Sequence, residues 1–163
     1  MEIREIKVKS ILGKSSICDY CINPYVGCEH ACIYCYADYY TKKFSKHKEE
    51  WGSFVDVKIN ADSILKKEIK KIKPSSVWIS SLTDPYQPLE LKYEITKKCI
   101  EILLKNDFFI VIQTKSSNVI RDLEIFKKYK NNVEIVFTIT MLEENFRKIF
   151  EPFASSIKSR LDA

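Results

Sequence analysis

The chain has 163 residues, of which 45% are hydrophobic, and this composition suits one domain with an ordinary buried core. Its 27 Lys and Arg against 22 Asp and Glu give a net charge of +5, which is a weak signal for nucleic acid because solvated helix faces explain it. No apolar run approaches the roughly 20 residues that span a bilayer, and the N-terminus lacks the apolar core of a signal peptide. We therefore expect a cytoplasmic protein with no membrane partner, in a compartment that keeps thiols reduced.

The hydrophobic pattern predicts an α/β domain in which strands and helices alternate. After an irregular or edge-strand lead-in at residues 1–17, we expect a short strand at 18–23 and apolar strands at 54–59, 77–80, 108–114 and 133–140. The segments between them have helical periodicity, and one of them places Cys99 on an apolar face. Strand, helix and strand at this spacing predict parallel strands with helices outside, as an open sheet or a partial (β/α) barrel.

Polar side chains follow these strands at the points where each one ends. They include Asn60, residues 80–84, Thr114 with Lys115, and residues 138–140. Alternation along the strand at 54–59 also puts Asp56, Lys58 and Asn60 on one face, so this polar stripe is expected to point into the barrel. The sequence therefore predicts a wet, functional cavity at the carboxyl ends of the strands.

Five of the six cysteines lie between residues 18 and 35, which favours a metal site over a disulfide framework. Cys28, Cys32 and Cys35 form C-x3-C-x2-C in a loop that follows Gly27. This spacing brings three thiolates to three corners of a 4Fe-4S cluster and leaves the fourth iron open to a substrate or cofactor.

Two other interpretations of these cysteines remain open from the sequence. The spacing i, i+4 and i+7 also fits one face of a helix that buries three small apolar side chains. Alternatively, Cys18 and Cys21 pair with Cys32 and Cys35 in a zinc ribbon, and the protein is a binding module. Outside a ribbon, the sequence assigns no role to Cys18 and Cys21.

The run NPYVGCEHACIYCYA at residues 23–37 resembles the cluster-binding signature of the radical S-adenosylmethionine (radical SAM) superfamily. It is most similar to the branch of spore photoproduct lyase and its uncharacterised relatives. Further segments resemble that branch in the same order: VKIN at 57–60, TDPYQPLE at 83–90, TKSS at 114–117, RDLE at 121–124 and EP at 151–152. The resemblance implies that residues 1–163 form the N-terminal portion of a radical SAM core, a truncated and incomplete barrel.

The resemblance also implies a reaction. A 4Fe-4S cluster on Cys28, Cys32 and Cys35 would bind S-adenosylmethionine at its open iron and receive an electron from an external donor. Cleavage of the cofactor then yields a 5′-deoxyadenosyl radical that abstracts hydrogen from an unknown substrate inside an enclosed site. A nucleic-acid repair lyase is the alternative within this class, and a truncated inactive remnant is an alternative outside it.

Candidate cofactor-binding residues follow from the same resemblance. Tyr34 has the aromatic position that lies beside the adenine in similar enzymes. The chain has only three glycines and lacks the Gly-Gly-Glu motif that holds the methionine amine, so a serine such as Ser81 or the Asp84 carboxylate is expected to replace it. Lys115 is expected to pair with the cofactor carboxylate. Thr140, near the end of the last predicted strand, completes the set.

The resemblance has limits that bear on the substrate. Spore photoproduct lyase places a cysteine hydrogen donor just before its Ser-Asp-Pro segment, and residues 79–83 contain no cysteine. We therefore do not transfer that activity. Neither histidine has a partner in the sequence, and His30 is expected to be a solvated or hydrogen-bonded loop residue.

Two further expectations concern surfaces. Six of the nine tyrosines lie between residues 20 and 40, and we expect them to shield the cluster, with base stacking as the less favoured role. The strand at 133–140 would leave an unpaired apolar edge. That edge requires a C-terminal partner chain, self-association, or a helix from residue 150 onward that folds across it.

Overall fold

The computed structural model of the protein describes residues 1–163 and contains eight strands and seven helices. The strands are β1 (Glu2–Ile6), β2 (Leu12–Lys14), β3 (Tyr20–Ile22), β4 (Tyr25–Val26), β5 (Phe54–Lys58), β6 (Ser76–Ile79), β7 (Phe109–Thr114) and β8 (Val133–Phe137). The helices are α1 (Tyr36–Phe44), α2 (Ala61–Glu68), α3 (Glu90–Tyr93), α4 (Ile95–Leu104), α5 (Leu123–Lys128), α6 (Glu144–Phe150) and α7 (Ile157–Asp162). None of these helices is both long and apolar enough to cross a membrane.

The larger sheet has the strand order β2-β3-β6-β7-β8. Strands β3, β6, β7 and β8 run parallel, and the short edge strand β2 is antiparallel to β3. The side chains that alternate along one face of the sheet are fully buried with α2 and α4 in a common core: Ile22, Val77, Ile79, Ile110 and Ile112. The predicted α/β fold with parallel strands is therefore confirmed, and the sheet is open, with β2 and β8 as its two edges.

Strand β5 lies outside this sheet, and the prediction that its polar stripe faces the cavity is wrong. β5 pairs with β1 and β4 in a separate three-stranded sheet. Asp56 lies 2.9 Å from Nε2 of His47, and Lys58 Nζ donates to the Asn23 carbonyl at 2.7 Å. The Asn60 amide bonds the backbone of residue 8 at 2.9 Å. The alternation of side chains along β5 was correctly predicted. The direction of its polar face depends on the strands with which β5 pairs, and nearby groups provide the hydrogen bonds of its polar side chains.

The C-terminal segment covers the carboxyl ends of two strands. Ser155 N donates to the Lys115 carbonyl at 3.2 Å, just after β7, and Arg160 donates to the Thr138 carbonyl at 3.1 Å, just after β8. The outer edge of β8 pairs with no strand. Thus α7 contacts the backbone just beyond the carboxyl end of β8, and no strand pairs with the outer edge of β8.

A buried carboxylate organises the start of α4. Glu90 is 1% exposed and accepts hydrogen bonds from the backbone N–H groups of Thr96 at 2.9 Å and Lys97 at 3.1 Å. These are first-turn donors of a helix whose N-cap provides no side-chain acceptor. The Tyr25 hydroxyl donates to the same carboxylate.

Arg121 extends this network to a third segment. Its guanidinium lies 2.9 Å from Glu90 and 2.8 Å from Asp122, and the Tyr86 hydroxyl donates to Asp122 at 2.9 Å. Two of the segments that resemble the lyase branch, at residues 83–90 and 121–124, therefore meet in a buried ionic network that holds the core together.

Replacing Glu90 should destabilise the fold strongly, because Glu90→Ala leaves Tyr25 and the N–H groups of Thr96 and Lys97 without their acceptor and removes one of the two carboxylate partners of Arg121. We expect a loss of about 3 kcal/mol or more in the free energy of unfolding. Glu101→Ala is the matched control, since Glu101 forms a half-exposed pair with Lys105 at 3.0 Å and should cost less than about 1 kcal/mol. Urea unfolding measures both, and equal losses would contradict the structural role of Glu90.

Candidate cofactor site

A pocket of about 160 Å³ opens at the carboxyl ends of β6, β7 and β8. Its polar and sulfur-bearing lining residues are Cys28, His30, Cys32, Cys35, Ser80, Ser81, Thr83, Asp84, Gln113, Thr114, Lys115 and Thr138. The predicted concentration of polar groups at these strand ends is therefore confirmed for all three strands. Ile17, Tyr36, Ala37, Trp78 and Leu82 complete the lining.

The three cysteines lie in a loop, and the interpretation that they share a helix face is wrong. Residues 28–35 form turns, with Ala31 N bonded to the Cys28 carbonyl at 3.3 Å and Cys35 N to the Cys32 carbonyl at 3.1 Å. Gly27 and Ala31 have positive φ angles of 85° and 50°, which a helix does not allow. Helix α1 begins only after Cys35, which is its N-cap residue.

The surroundings of the three cysteines suit metal ligands. Each buried thiol favours its neutral form and becomes a thiolate only when a nearby cation compensates the negative charge. Burial raises the pKa of the Cys28, Cys32 and Cys35 thiols, that of Cys32 to about 12. Backbone N–H groups nevertheless donate to the sulfurs of Cys28 and Cys35, and the Lys115 ammonium favours the charged form of Cys32 and Cys35. Hydrogen bonds to sulfur and a nearby positive charge are the usual environment of iron–sulfur ligands. The donor set therefore fits a cluster.

The structure gives no support to a zinc ribbon. Such a site needs four side chains that converge on one ion, and no three His, Cys, Asp or Glu side chains do so. In a 4Fe-4S cluster each cysteine binds a different iron, so its ligands need not converge in this way. Cys21 lies on β3 with its sulfur packed against Gly13, and neither Cys18 nor Cys21 lines the pocket.

Asp84 joins the cysteine loop to the end of β7. Its carboxylate accepts from Tyr86 N at 2.9 Å, Thr114 Oγ1 at 2.6 Å and Lys115 N at 2.8 Å, and it lies 3.3 Å from Nδ1 of His30. Burial opposes the charge, but His30 and these hydrogen bonds hold the pKa of Asp84 at about 2. His30 is only 2% exposed, so the expectation of a solvated residue is wrong and that of a hydrogen-bonded one is correct.

Two adjacent serines differ in what they offer to a ligand. The Ser81 N–H donates to Asn23 Oδ1 at 2.9 Å, and the Asn23 amide reaches the Ser81 hydroxyl at 3.3 Å. Ser80 has a φ of 66°, is 5% exposed, and its hydroxyl has no hydrogen-bond partner. A strained residue with an unsatisfied buried hydroxyl in a pocket is a feature typical of binding sites. The backbone angle that distinguishes Ser80 from Ser81 has no signature in the sequence.

Tyr34 and Thr140 lie together but outside the pocket lining. Both hydroxyls donate to Glu151, that of Thr140 at 2.7 Å, and Glu151 is fully buried in an ion pair with Arg160 at 2.6 Å. The Lys115 ammonium lies 5.6 Å from the centre of the Tyr34 ring. Glu151 is not among the predicted site residues, although the EP segment at 151–152 was the sequence signal that marked it.

Two other segments hold the backbone of the cysteine loop. Phe153 N donates to the His30 carbonyl at 3.3 Å, and Ile33 N donates to the Phe150 carbonyl at 3.0 Å. Gly52 packs so closely that a Cβ there would lie 2.3 Å from the Cβ of Ala31.

The tyrosines around the loop mostly do not shield it. Tyr25 is buried, whereas Tyr36, Tyr39 and Tyr40 are 59%, 62% and 42% exposed. The expectation that they enclose the cluster is therefore wrong for Tyr39 and Tyr40, because α1 directs their rings to the surface, whereas the Tyr36 hydroxyl donates to the Ser81 carbonyl at the pocket. Tyr36 alone among them lines the pocket.

The chain is similar to a known protein family and to several relatives. Residues 18–163 match the model of the Radical SAM superfamily. Uncharacterized protein MJ0683 of Methanocaldococcus jannaschii is 37% identical and covers 100% of this chain, which covers 61% of that relative. Uncharacterized protein ORF301 of Acidianus two-tailed virus is 34% identical over 93% of this chain and 52% of its own. The chain thus spans about half to three fifths of these relatives.

Solved structures of spore photoproduct lyase share the fold. One complexed with dinucleoside spore photoproduct has a TM-score of 0.75 at 19% identity, over 98% of this chain and 46% of the lyase. A variant of the lyase with bound AdoMet and dinucleoside spore photoproduct has a TM-score of 0.70 at 20% identity, over 98% of this chain and 45% of the lyase.

Gly52→Ala should loosen the cysteine loop, because the new Cβ meets Ala31 and the φ of 89° strains any L residue. We expect a loss of about 2 kcal/mol in unfolding free energy and faster labelling of Cys28 and Cys32 by a thiol reagent. Gly13→Ala is the control, since its Cβ would make an ordinary contact 3.7 Å from the Cys21 sulfur. Unchanged labelling of the Gly52→Ala variant would show that Gly52 does not support the loop.

Proposed function

Because the chain belongs to the radical SAM superfamily, we propose that Cys28, Cys32 and Cys35 hold a 4Fe-4S cluster and that the adjoining pocket binds S-adenosylmethionine. The observation that carries the proposal is that all three cysteine side chains line one pocket with Lys115 and Ser80. When bound there, the cluster and S-adenosylmethionine would together supply a 5′-deoxyadenosyl radical for hydrogen abstraction from a substrate still to be identified. An external one-electron donor and a cytoplasmic location belong to this proposal.

In this proposal the residues around the pocket bind the polar ends of the cofactor. The Ser80 hydroxyl, assisted by Ser81, accepts a hydrogen bond from the methionine ammonium, which satisfies an otherwise unpartnered buried group. The Lys115 ammonium pairs with the carboxylate. The Asp84 carboxylate accepts from Lys115 N at 2.8 Å and so acts as a positioning residue, since its two oxygens already face four donors.

Tyr34 and Thr140 are proposed to close the adenine side of the site. Glu151 fixes both hydroxyls, and its own charge is balanced by Arg160. A fixed aromatic ring beside the pocket excludes water from a reactive radical.

Residues 1–163 are proposed to be the N-terminal portion of a longer barrel. The open outer edge of β8 supports this, since an edge with Val136 and Phe137 favours pairing with a partner chain or a second copy. Cofactor cleavage by this chain alone would then be poorly coupled to substrate.

A nucleic-acid repair lyase is the second candidate. The solved lyases that share this fold include complexes with dinucleoside spore photoproduct, which favours a substrate of nucleic-acid type. Residues 79–83 supply no cysteine at the end of β6, so the hydrogen donor of such a reaction would differ.

Single replacements of cysteine by alanine test the cluster assignment. After anaerobic reconstitution, we expect about four irons and four sulfides per chain in the wild type and in the Cys18, Cys21 and Cys99 variants. The Cys28, Cys32 and Cys35 variants should lose most of both. One zinc without sulfide, dependent on Cys18 and Cys21, would establish the ribbon instead.

Lys115→Met tests the cofactor contact. Losing a charge-assisted hydrogen bond should weaken S-adenosylmethionine binding by about tenfold or more, measured by calorimetry on the reconstituted chain. Lys127→Met, on the exposed surface of α5, is the control. If Lys115→Met keeps its iron content and its affinity, Lys115 does not bind the carboxylate.

A further inference from the structure

Helix α1 has a row of aromatic side chains with exposed ring surface, although the hydroxyl of the first, Tyr36, donates to the Ser81 carbonyl. Tyr36, Tyr40 and Phe44 recur at every fourth position and so lie along one side of the helix. Their exposed fractions are 59%, 42% and 74%. We call these three residues the aromatic row. Exposed rings in a contiguous row are uncommon on a surface that contacts only water.

The aromatic row begins at the cofactor pocket and leads away from it. Tyr36 lines that pocket, while Tyr40 and Phe44 line a neighbouring groove of about 170 Å³ with Lys58 and Leu82. The Tyr40 and Phe44 rings are 6.1 Å apart and within 15° of parallel, and the Tyr36 ring stands edge-on to Tyr40 at 6.0 Å. The Tyr40 and Phe44 rings therefore present near-parallel faces on which planar ligands can stack, next to the pocket that Tyr36 lines.

The chain around the aromatic row is basic. Residues 36–48 contain four lysines and one acidic residue, Asp38, which pairs with Lys42 at 2.8 Å. Lys43, Lys46 and Lys48 are exposed, and the ammonium of Lys43 lies 5.5 Å from the centre of the Phe44 ring. The row and its lysines thus combine flat apolar surfaces with positive charge.

We propose that this face of α1 binds single-stranded nucleic acid. Bases stack on the aromatic row, and Lys43 and Lys46 pair with phosphates. A duplex hides its base faces, and an acidic protein would satisfy the lysines but leave the rings without flat partners. Both contacts are independent of base identity, so binding is not sequence-specific. The surface needs no cluster, and the inference does not rest on the proposed function.

Fluorescence anisotropy with labelled 12-nucleotide oligo(dT) and oligo(U) tests the proposal on the full chain, as purified and after cluster reconstitution. Tyr40→Ala/Phe44→Ala should weaken binding by about tenfold or more. Lys43→Gln/Lys46→Gln should reduce the slope of log K against log salt by about 1.4, which is about 0.7 for each phosphate contact. Tighter binding of oligo(dT) or of oligo(U) identifies DNA or RNA as the ligand, and either result supports the proposal.

Two controls separate the aromatic row from general surface effects. Phe146→Ala removes a half-exposed ring on α6, and Lys127→Gln/Lys128→Gln removes two charges on α5, so neither should change affinity beyond about twofold. Circular dichroism checks that each variant is folded. Unchanged binding in both α1 variants overturns the proposal. It is also overturned if neither oligonucleotide binds. Binding of an acidic 2Fe-2S ferredoxin that is lost in those variants would then identify the face as a docking surface for a protein.

Discussion

The pocket at the carboxyl ends of β6, β7 and β8 depends on one buried carboxylate. Asp84 receives hydrogen bonds from the end of β7, through Thr114 and the Lys115 backbone, and it faces His30 of the cysteine loop. Other hydrogen bonds also join the loop to the segment after β6, such as that from Thr83 Oγ1 to the Gly27 carbonyl at 2.6 Å, but Asp84 alone among these residues also reaches the end of β7. Hydrogen bonds to a charged group specify position more tightly than apolar contacts do. The contact explains how a loop without regular structure keeps three cysteines and a lysine in one pocket.

Two other buried carboxylates also link segments that are far apart in the chain. Glu151 links Tyr34 and Thr140 to Arg160, and thereby attaches the C-terminal segment to the cysteine loop. Glu90 links the start of α4 to Arg121. A buried charge is tolerated only when each lone pair is satisfied. Three of the segments by which the sequence resembles the lyase branch, at residues 83–90, 121–124 and 151–152, therefore contribute to the stability of the fold. The resemblance alone did not distinguish residues with a structural role from residues that bind a cofactor.

The pocket and the outer face of α1 differ in how they treat charge. Inside, burial disfavours thiolates until a cation compensates them, which suits a metal cluster and excludes water. Outside, lysines and exposed rings remain solvated and available to a large ligand. Because Tyr36 belongs to both, a strand bound along α1 would approach the pocket directly.

Local pattern in the sequence was enough to predict the parallel strands, the loop character of the cysteine motif and the polar strand ends, because periodicity and turn residues act over a few positions. Asp84 was identified through the family resemblance and Lys115 through its position at a strand end, and their role as cofactor ligands stays a prediction. Only the tertiary structure decided that β5 joins a separate sheet, that His30 is buried against Asp84, and that the Ser80 hydroxyl lacks a partner. It also decided that the tyrosines of α1 face outward. These features depend on contacts between residues far apart in the chain, and a pattern of neighbouring side chains contains no information about which distant groups they meet.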